Sequence, residues 1–292
     1  MNAKHSLLLE LLRAELDATN QQFTHILTLR ELGHEAPAAR IVEVDDIDFA
    51  NSMGIIDHLV KTGTSFTLPA PEFNPGSDYA SILCAEQAME TRLMNVLEFS
   101  SGVQAAAAHL FTGAKTPRSA YASWLAEAIA HAGNGVNTGN SNIALEGLVA
   151  LLITMIEQSM IHAFVEWHGD NRSAADAAWQ TSGAAMMQLT RLVRLYVRRP
   201  ESLTAGTCPA AQLCSQAGAT LHADLELARR CAQRANKAAR YCDHPKIAKY
   251  CASIAGYYRE LESWDPSTPH PAAGSNPPVF QSFAATLEKF VA

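Results

Sequence analysis

Four acidic side chains, Glu15, Asp48, Glu86 and Glu90, stand where apolar ones are expected. Leu8, Leu11, Leu12, Ile26 and Leu29 recur at three- and four-residue steps and mark one stripe of a helix, yet Glu15 and Gln22 fall on that stripe. Further on, Ile41, Val44, Ile55 and Leu59 share a face that has Asp48 in its middle and Asn51 one turn later. A third stretch carries Tyr79, Leu83, Leu93, Met94 and Leu97 on a face that also holds Glu86 and Glu90. Three successive helices thus direct carboxylates toward the core they are expected to build. A buried carboxylate without a partner either costs several kcal/mol or takes up a proton. The economical compensation is a multivalent cation, because carboxylate oxygens are hard donors suited to iron or manganese and two such ions fit between facing helices. The same need is met without metal if arginine or hydrogen-bond donors enter the cluster, and Arg92 and Arg118 are the nearby candidates.

The elements that must position these groups read as helices. The 292-residue chain is 48% hydrophobic but only 7% aromatic, rich in alanine and poor in period-two clusters of β-branched residues, so the expected class is all-α. Helices are expected over 6–32, ending at Gly33, over 38–62, ending at Gly63, and from Ser77 to about 101. The proline-bearing stretch "TSFTLPAPEFNPGSD" between the second and third excludes regular helix and makes an extended crossover. That order, two helices then a crossover, sets helices two and three parallel in a four-helix bundle. A short helix in "VQAAAAHLF" and one opened by Thr116 and Pro117 follow, and the Gly- and Asn-rich run at 133–142 reads as an inter-domain loop. Four more helices, near 143–168, 173–198, 208–242 and 244–263, suggest a second bundle. The expected division is 1–135, 142–265, and a Pro-rich linker with a short helix over 266–292.

The first-helix segment "AELDATNQQFTH", closed by "ELG", resembles the first helix of bacterioferritins and other ferritin-like diiron proteins, with Glu15 at the metal-ligating position. Counted onward, the family's second-helix Glu-x-x-His falls on Asp48 and Asn51, and its third-helix ligand on Glu90 in "GSDYASILCAEQAMETRL". The likeness covers roughly residues 8 to 98, about a third of the chain. It implies a ferritin-like fold and an iron or manganese site, of one or two ions, made by Glu15, Asp48, Asn51 and Glu90. Glu127 and His131 would complete the set from a fourth helix, with Glu157 as the alternative. Such a centre would bind O2 or peroxide and serve an O2-dependent oxidoreductase acting on iron or a small organic substrate. The departures are Asp for Glu and Asn for His on helix two. Phe49 stands where haem-binding members carry methionine, so haem is not expected. The alternative reading is a metal-free descendant retained as a structural or interaction module.

The second half echoes the first: "EQSMIHAFVEWHGD" repeats the Gln, His and Gly placement of "NQQFTHILTLRELGHE", but Leu152 stands in register with Glu15. A repeat that has lost its metal is expected there. Five of the six cysteines lie in this half without a Cys-x-x-Cys pair, so buried structural thiols are expected, and Cys242 with His244 is the one candidate for a soft metal. His162 and His168 sit near a helix end, and Arg191, Arg194, Arg198 and Arg199 read as a solvated face. No phosphate loop or nucleophile elbow is present. A net charge of −7 gives no footprint for nucleic acid. The N-terminus lacks the pattern of a secretory signal, and the segment 143–165, interrupted by Glu146, Glu157, Gln158 and His162, reads as too polar to span a membrane. A cytoplasmic protein, monomeric or in a small homo-oligomer, is the expectation.

Overall fold

The computed structural model describes residues 3–63, 66–99, 115–132, 143–196, 203, 213 and 216–290. Among these, nine α-helices and no strand are found: α1 (Ala3–Glu31), α2 (Glu35–Lys61), α3 (Tyr79–Phe99), α4 (Lys115–Ala132), α5 (Ile143–His168), α6 (Arg172–Arg194), α7 (Thr220–Tyr241), α8 (Pro245–Glu262) and α9 (Phe283–Phe290), with a 3-10 turn at Pro278–Phe280. The segment 103–111, the loop 133–142, Cys208, Cys214, Arg198 and Arg199 lie outside the described residues.

Two compact units divide the chain. The first comprises Met1–Ile55, Pro71–Ser141 and Tyr196–Thr204; the second comprises Ile56–Ala70, Asn142–Leu195 and Ala205–Ala292. In the first unit Ile26 and Leu29 of α1, Ala38, Ile41 and Val44 of α2, Ile82 and Leu83 of α3, and Tyr121 and Leu125 of α4 form one buried cluster, so all four helices share a core. The turn between α1 and α2 is short because Gly33 takes φ +85°, and the following amide of His34 donates to Leu29 O at 2.8 Å, satisfying an end carbonyl of α1. The crossover is pinned to α1 by side chains one turn apart. Asp17 accepts from the amide of Glu72 (3.1 Å) and Gln21 from that of Asn74 (2.9 Å).

Helix α3 begins at Tyr79, two residues beyond Ser77. Asp78 rather than Ser77 is its cap: the Asp78 carboxylate accepts from Ser81 N (2.8 Å) while Ser81 Oγ accepts from Asp78 N (3.0 Å), a reciprocal pair that ties off two end amides. Of the helix expected over 208–242, the part Thr220–Tyr241 is helical and Gly218, at φ +85°, belongs to a turn before it; residues 208–212, 214 and 215 lie outside the described residues.

In the second unit α5 packs against α6 and α7, and α7 against α8. Helix α5 corrects the expectation about polarity: from Leu145 to His168 it is long and apolar enough to cross a membrane, but its apolar window is buried throughout within the protein, as a central core helix requires. The C-terminal stretch is not a detached linker. Phe283 is fully buried, its ring 4.9 Å from that of Phe164 and 5.1 Å from that of Trp179, and Trp179 Nε1 donates to Val279 O at 2.7 Å. Gly183 of α6 is what admits the tail so closely, since a Cβ there would lie 2.4 Å from the Phe280 side chain. Phe283→Ala is expected to lower the stability of the second unit by about 3–5 kcal/mol, read as an earlier urea transition in the tryptophan fluorescence of that unit.

Candidate functional site

The carboxylates converge, and an arginine stands among them. Glu15 of α1, Asp48 of α2 and Glu90 of α3 are all buried, and all three accept from Arg118 of α4, itself fully buried. Nη1 donates to Glu90 Oε2 at 3.0 Å; Nη2 donates to Glu15 Oε2 at 3.3 Å and, more closely, to Asp48 Oδ1. Asn51 donates its amide nitrogen to the other oxygen of Glu15 at 3.1 Å. One guanidinium therefore ties the inner faces of four helices, using the planar fork of donors that only arginine offers.

A second polar layer lies one turn away. Glu86, four residues before Glu90 on α3, pairs through Oε1 with His25 Nδ1 of α1 and accepts at Oε2 from the Tyr121 hydroxyl at 2.7 Å. Donors three apart on α4, Arg118 and Tyr121, thus meet acceptors four apart on α3, as facing helix turns allow. Arg92, the other arginine considered, serves elsewhere: it donates to Asp17 at 2.8 Å and pairs with Glu72 at 3.0 Å on the crossover.

Glu127 and His131 do not enter the cluster. Both are exposed, and the His131 ring pairs with the backbone oxygen of Glu127 at 2.7 Å. The reason is helical phase: Glu127 lies nine residues after Arg118, about two and a half turns, and so points from the opposite side. Glu157 is buried on α5, in the other unit. Glu15, Asp48, Asn51, Glu86 and Glu90 were readable from the apolar stripes and Arg118 as a nearby counter-charge; His25 and Tyr121 complete the network. The overlooked signal is that Arg118, Tyr121 and Leu125 form their own stripe at three- and four-residue steps.

Burial dominates the acid–base properties. It pushes the Glu15 carboxyl up to about 7, against the opposing pull of Arg118 and Asn51. It pushes Glu90 up to about 8, with Glu86 and Glu15 adding to the rise. Burial lowers the Arg118 pKa, yet a guanidinium keeps its proton in a protein. The Tyr121 phenol is held well above its ordinary value, by burial first and then by Glu86, and so remains a donor.

These residues do not fit a dimetal centre. A guanidinium presents positive charge and N–H groups where a divalent ion needs lone pairs, and Asn51 is turned so that its amide nitrogen, not its oxygen, meets Glu15. Among the described residues no group of three or more His, Cys, Asp or Glu is disposed to hold a metal ion. Of the described thiols, Cys231 and Cys251 are buried, with burial first and Cys242 second raising Cys251 to about 12, while Cys242 Sγ lies 3.8 Å from His244 O. His168 pairs with Asp57 at 2.8 Å within the second unit, and Arg191 and Arg194 are exposed.

Compared with known proteins, the chain matches no family model, no curated protein and no solved structure.

Arg118→Met is expected to destabilise the first unit by about 3–5 kcal/mol, because it strands three buried acids; adding Glu15→Gln, Asp48→Asn and Glu90→Gln should recover part of the loss in urea titrations followed by circular dichroism. The pH dependence has a definite sign. Folded-state pKa values raised from 4.5 to about 7 and about 8 mean that the folded chain binds more protons than the unfolded one across that interval. The contribution of these two groups is present in full below the ordinary carboxylate range and is lost as pH rises through their folded values. Melting temperature of the first unit should fall from pH 5 to pH 8.5, and Glu15→Gln/Glu90→Gln should flatten that fall.

Proposed function

We propose that the first unit is a ferritin-like bundle in which Arg118 has taken the place of the metal centre, and that the protein serves as a metal-free structural or interaction module. The observation that carries this reading is the bonding of one buried guanidinium to Glu15, Asp48 and Glu90, the residues that the ferritin-like resemblance marks as ligands. Four helices sharing one core, with a crossover between α2 and α3, support it.

On this reading the acids hold the bundle together instead of holding metal ions. Each accepts a charge-assisted hydrogen bond, and the arginine supplies inside the fold the counter-charge that a metal would otherwise bring. The three carboxylates and Arg118 depend on one another, so losing either side leaves buried charge unpaired. The second unit supports the same reading. Counting 137 residues on, Gln21 and His25 correspond to Gln158 and His162, and Leu152 replaces Glu15. His25 meets Glu86 of the third helix in its unit, and His162 meets Asp224 of the third helix in the other, at 2.8 Å. Both units keep the histidine–acid pair, whereas the position of Glu15 has become apolar in one of them.

The test is a thermal shift with Mn(II). Wild-type protein should melt at the same temperature with and without millimolar Mn(II), while Arg118→Ala, less stable at the outset, should gain several degrees on adding it, because the freed carboxylates then face the ion. A wild-type gain as large as the variant's would contradict the assignment.

A further inference from the structure

The second unit contains a cavity of about 220 Å³ that the account of the first unit leaves without a role. It lies between the end of α5, the start of α6, the first turns of α7 and the residues after α8. Its rim is built around Glu166, a buried carboxylate at the end of α5. One Glu166 oxygen accepts from Gly218 N at 2.7 Å and from the Thr220 hydroxyl, and the other accepts from Asn171 Nδ2 at 2.9 Å. Both oxygens are thus engaged in joining α5 to the starts of α6 and α7.

Asp224 is different. It lies one turn beyond Thr220 and is only 5% exposed. Its Oδ1 accepts from Gln158 Nε2 at 2.9 Å and from His162 Nδ1 at 2.8 Å, so an ionised Asp224 sets the imidazole proton on Nδ1. Its Oδ2 has no hydrogen-bond donor among the described residues, and the side chain lines the cavity. The matching pair in the first unit shows what this means. There the second oxygen of Glu86 is covered by the Tyr121 hydroxyl at 2.7 Å; here a cavity takes that place.

We propose that this cavity binds a small organic ammonium ion, an alkyl- or arylalkylamine whose nitrogen donates to Asp224 Oδ2 and whose carbon body lies against Leu221, Leu225, Leu261 and the ring of Trp264. No lysine or arginine lines the cavity among the described residues, so an anion would meet two carboxylates without a counter-charge. A bare metal ion would find one uncommitted carboxylate oxygen and an apolar wall, and would keep its water. A neutral apolar guest would cover Oδ2 without pairing it, which costs free energy. An organic ammonium ion satisfies both halves of the site, its nitrogen pairing Oδ2 and its carbon body covering the apolar wall. The proposal does not depend on the reading of the first unit.

The experiment is calorimetric titration of the full chain with three probes of similar size: 2-phenylethylammonium, 3-phenyl-1-propanol and 3-phenylpropanoate. The ammonium should bind about tenfold or more tightly than either of the others, as a charge-assisted hydrogen bond to a carboxylate implies. Asp224→Asn keeps an Oδ1 acceptor for Gln158 and His162 while removing the charge, and should weaken ammonium binding by about the same factor. Ala177→Phe, which places a ring in the cavity, should abolish binding and remains informative if Asp224→Asn fails to fold. Equal affinity for all three probes, preference for the anion, or no heat from the ammonium at millimolar concentration in folded wild-type protein would overturn the proposal.

Discussion

The first unit depends on the guanidinium of Arg118 in its interior. Four helices of alanine and leucine could pack without it, but α1, α2 and α3 each carry an acid on the buried face, and three carboxylates in one core repel each other unless something positive lies between them. The Arg118 guanidinium does so with several N–H donors in one plane, and it comes from the fourth helix, so that closing the bundle and neutralising the acids are one event. Helix α4 therefore has a role beyond covering apolar surface. Burial alone would drive the acids to hold their protons. The arginine limits that for Glu15, whose carboxyl still rises to about 7.

The two helical units have different interiors. Each has a histidine on its first helix bonded to an acid on its third. In the first unit the surrounding space is filled by Tyr121 and by the cluster around Arg118. In the second, the position in register with Glu15 is a leucine, and Glu166 and Asp224 line a cavity. Buried polarity in the first unit thus joins helices side by side, and in the second it lines a small space near the helix ends.

Much of the fold was legible because apolar periodicity and glycine punctuation are local signals. The stripes of α1, α2 and α3 and the stops at Gly33 and Gly63 follow from spacing and from backbone conformations that glycine adopts readily. Finer boundaries depended on capping: Asp78 and Ser81 pair with each other and move the start of α3 beyond Ser77. The packing of the C-terminal tail was not legible, since a proline-rich stretch gives no sign of the slot that Gly183 opens for Phe280. Within the site, the acids were visible as misfits on their own helices and Arg118 as one of two nearby counter-charges, but that Arg118 and not Arg92 meets all three is a tertiary pairing that spacing along the chain does not specify. Glu127 and His131 suited the chemistry of a ligand set but not its direction, because helical phase places them away from Arg118.

On the proposed function, Arg118 and not a metal ion answers the buried carboxylates. The most direct measurement is metal content by mass spectrometry on untagged wild-type protein after anaerobic addition of Fe(II) and removal of unbound ion. The account predicts no iron retained above the buffer blank. Retention of about one or two ions per chain, as carboxylate-bridged sites in helical bundles hold, and their loss in Glu15→Ala/Glu90→Ala, would contradict it.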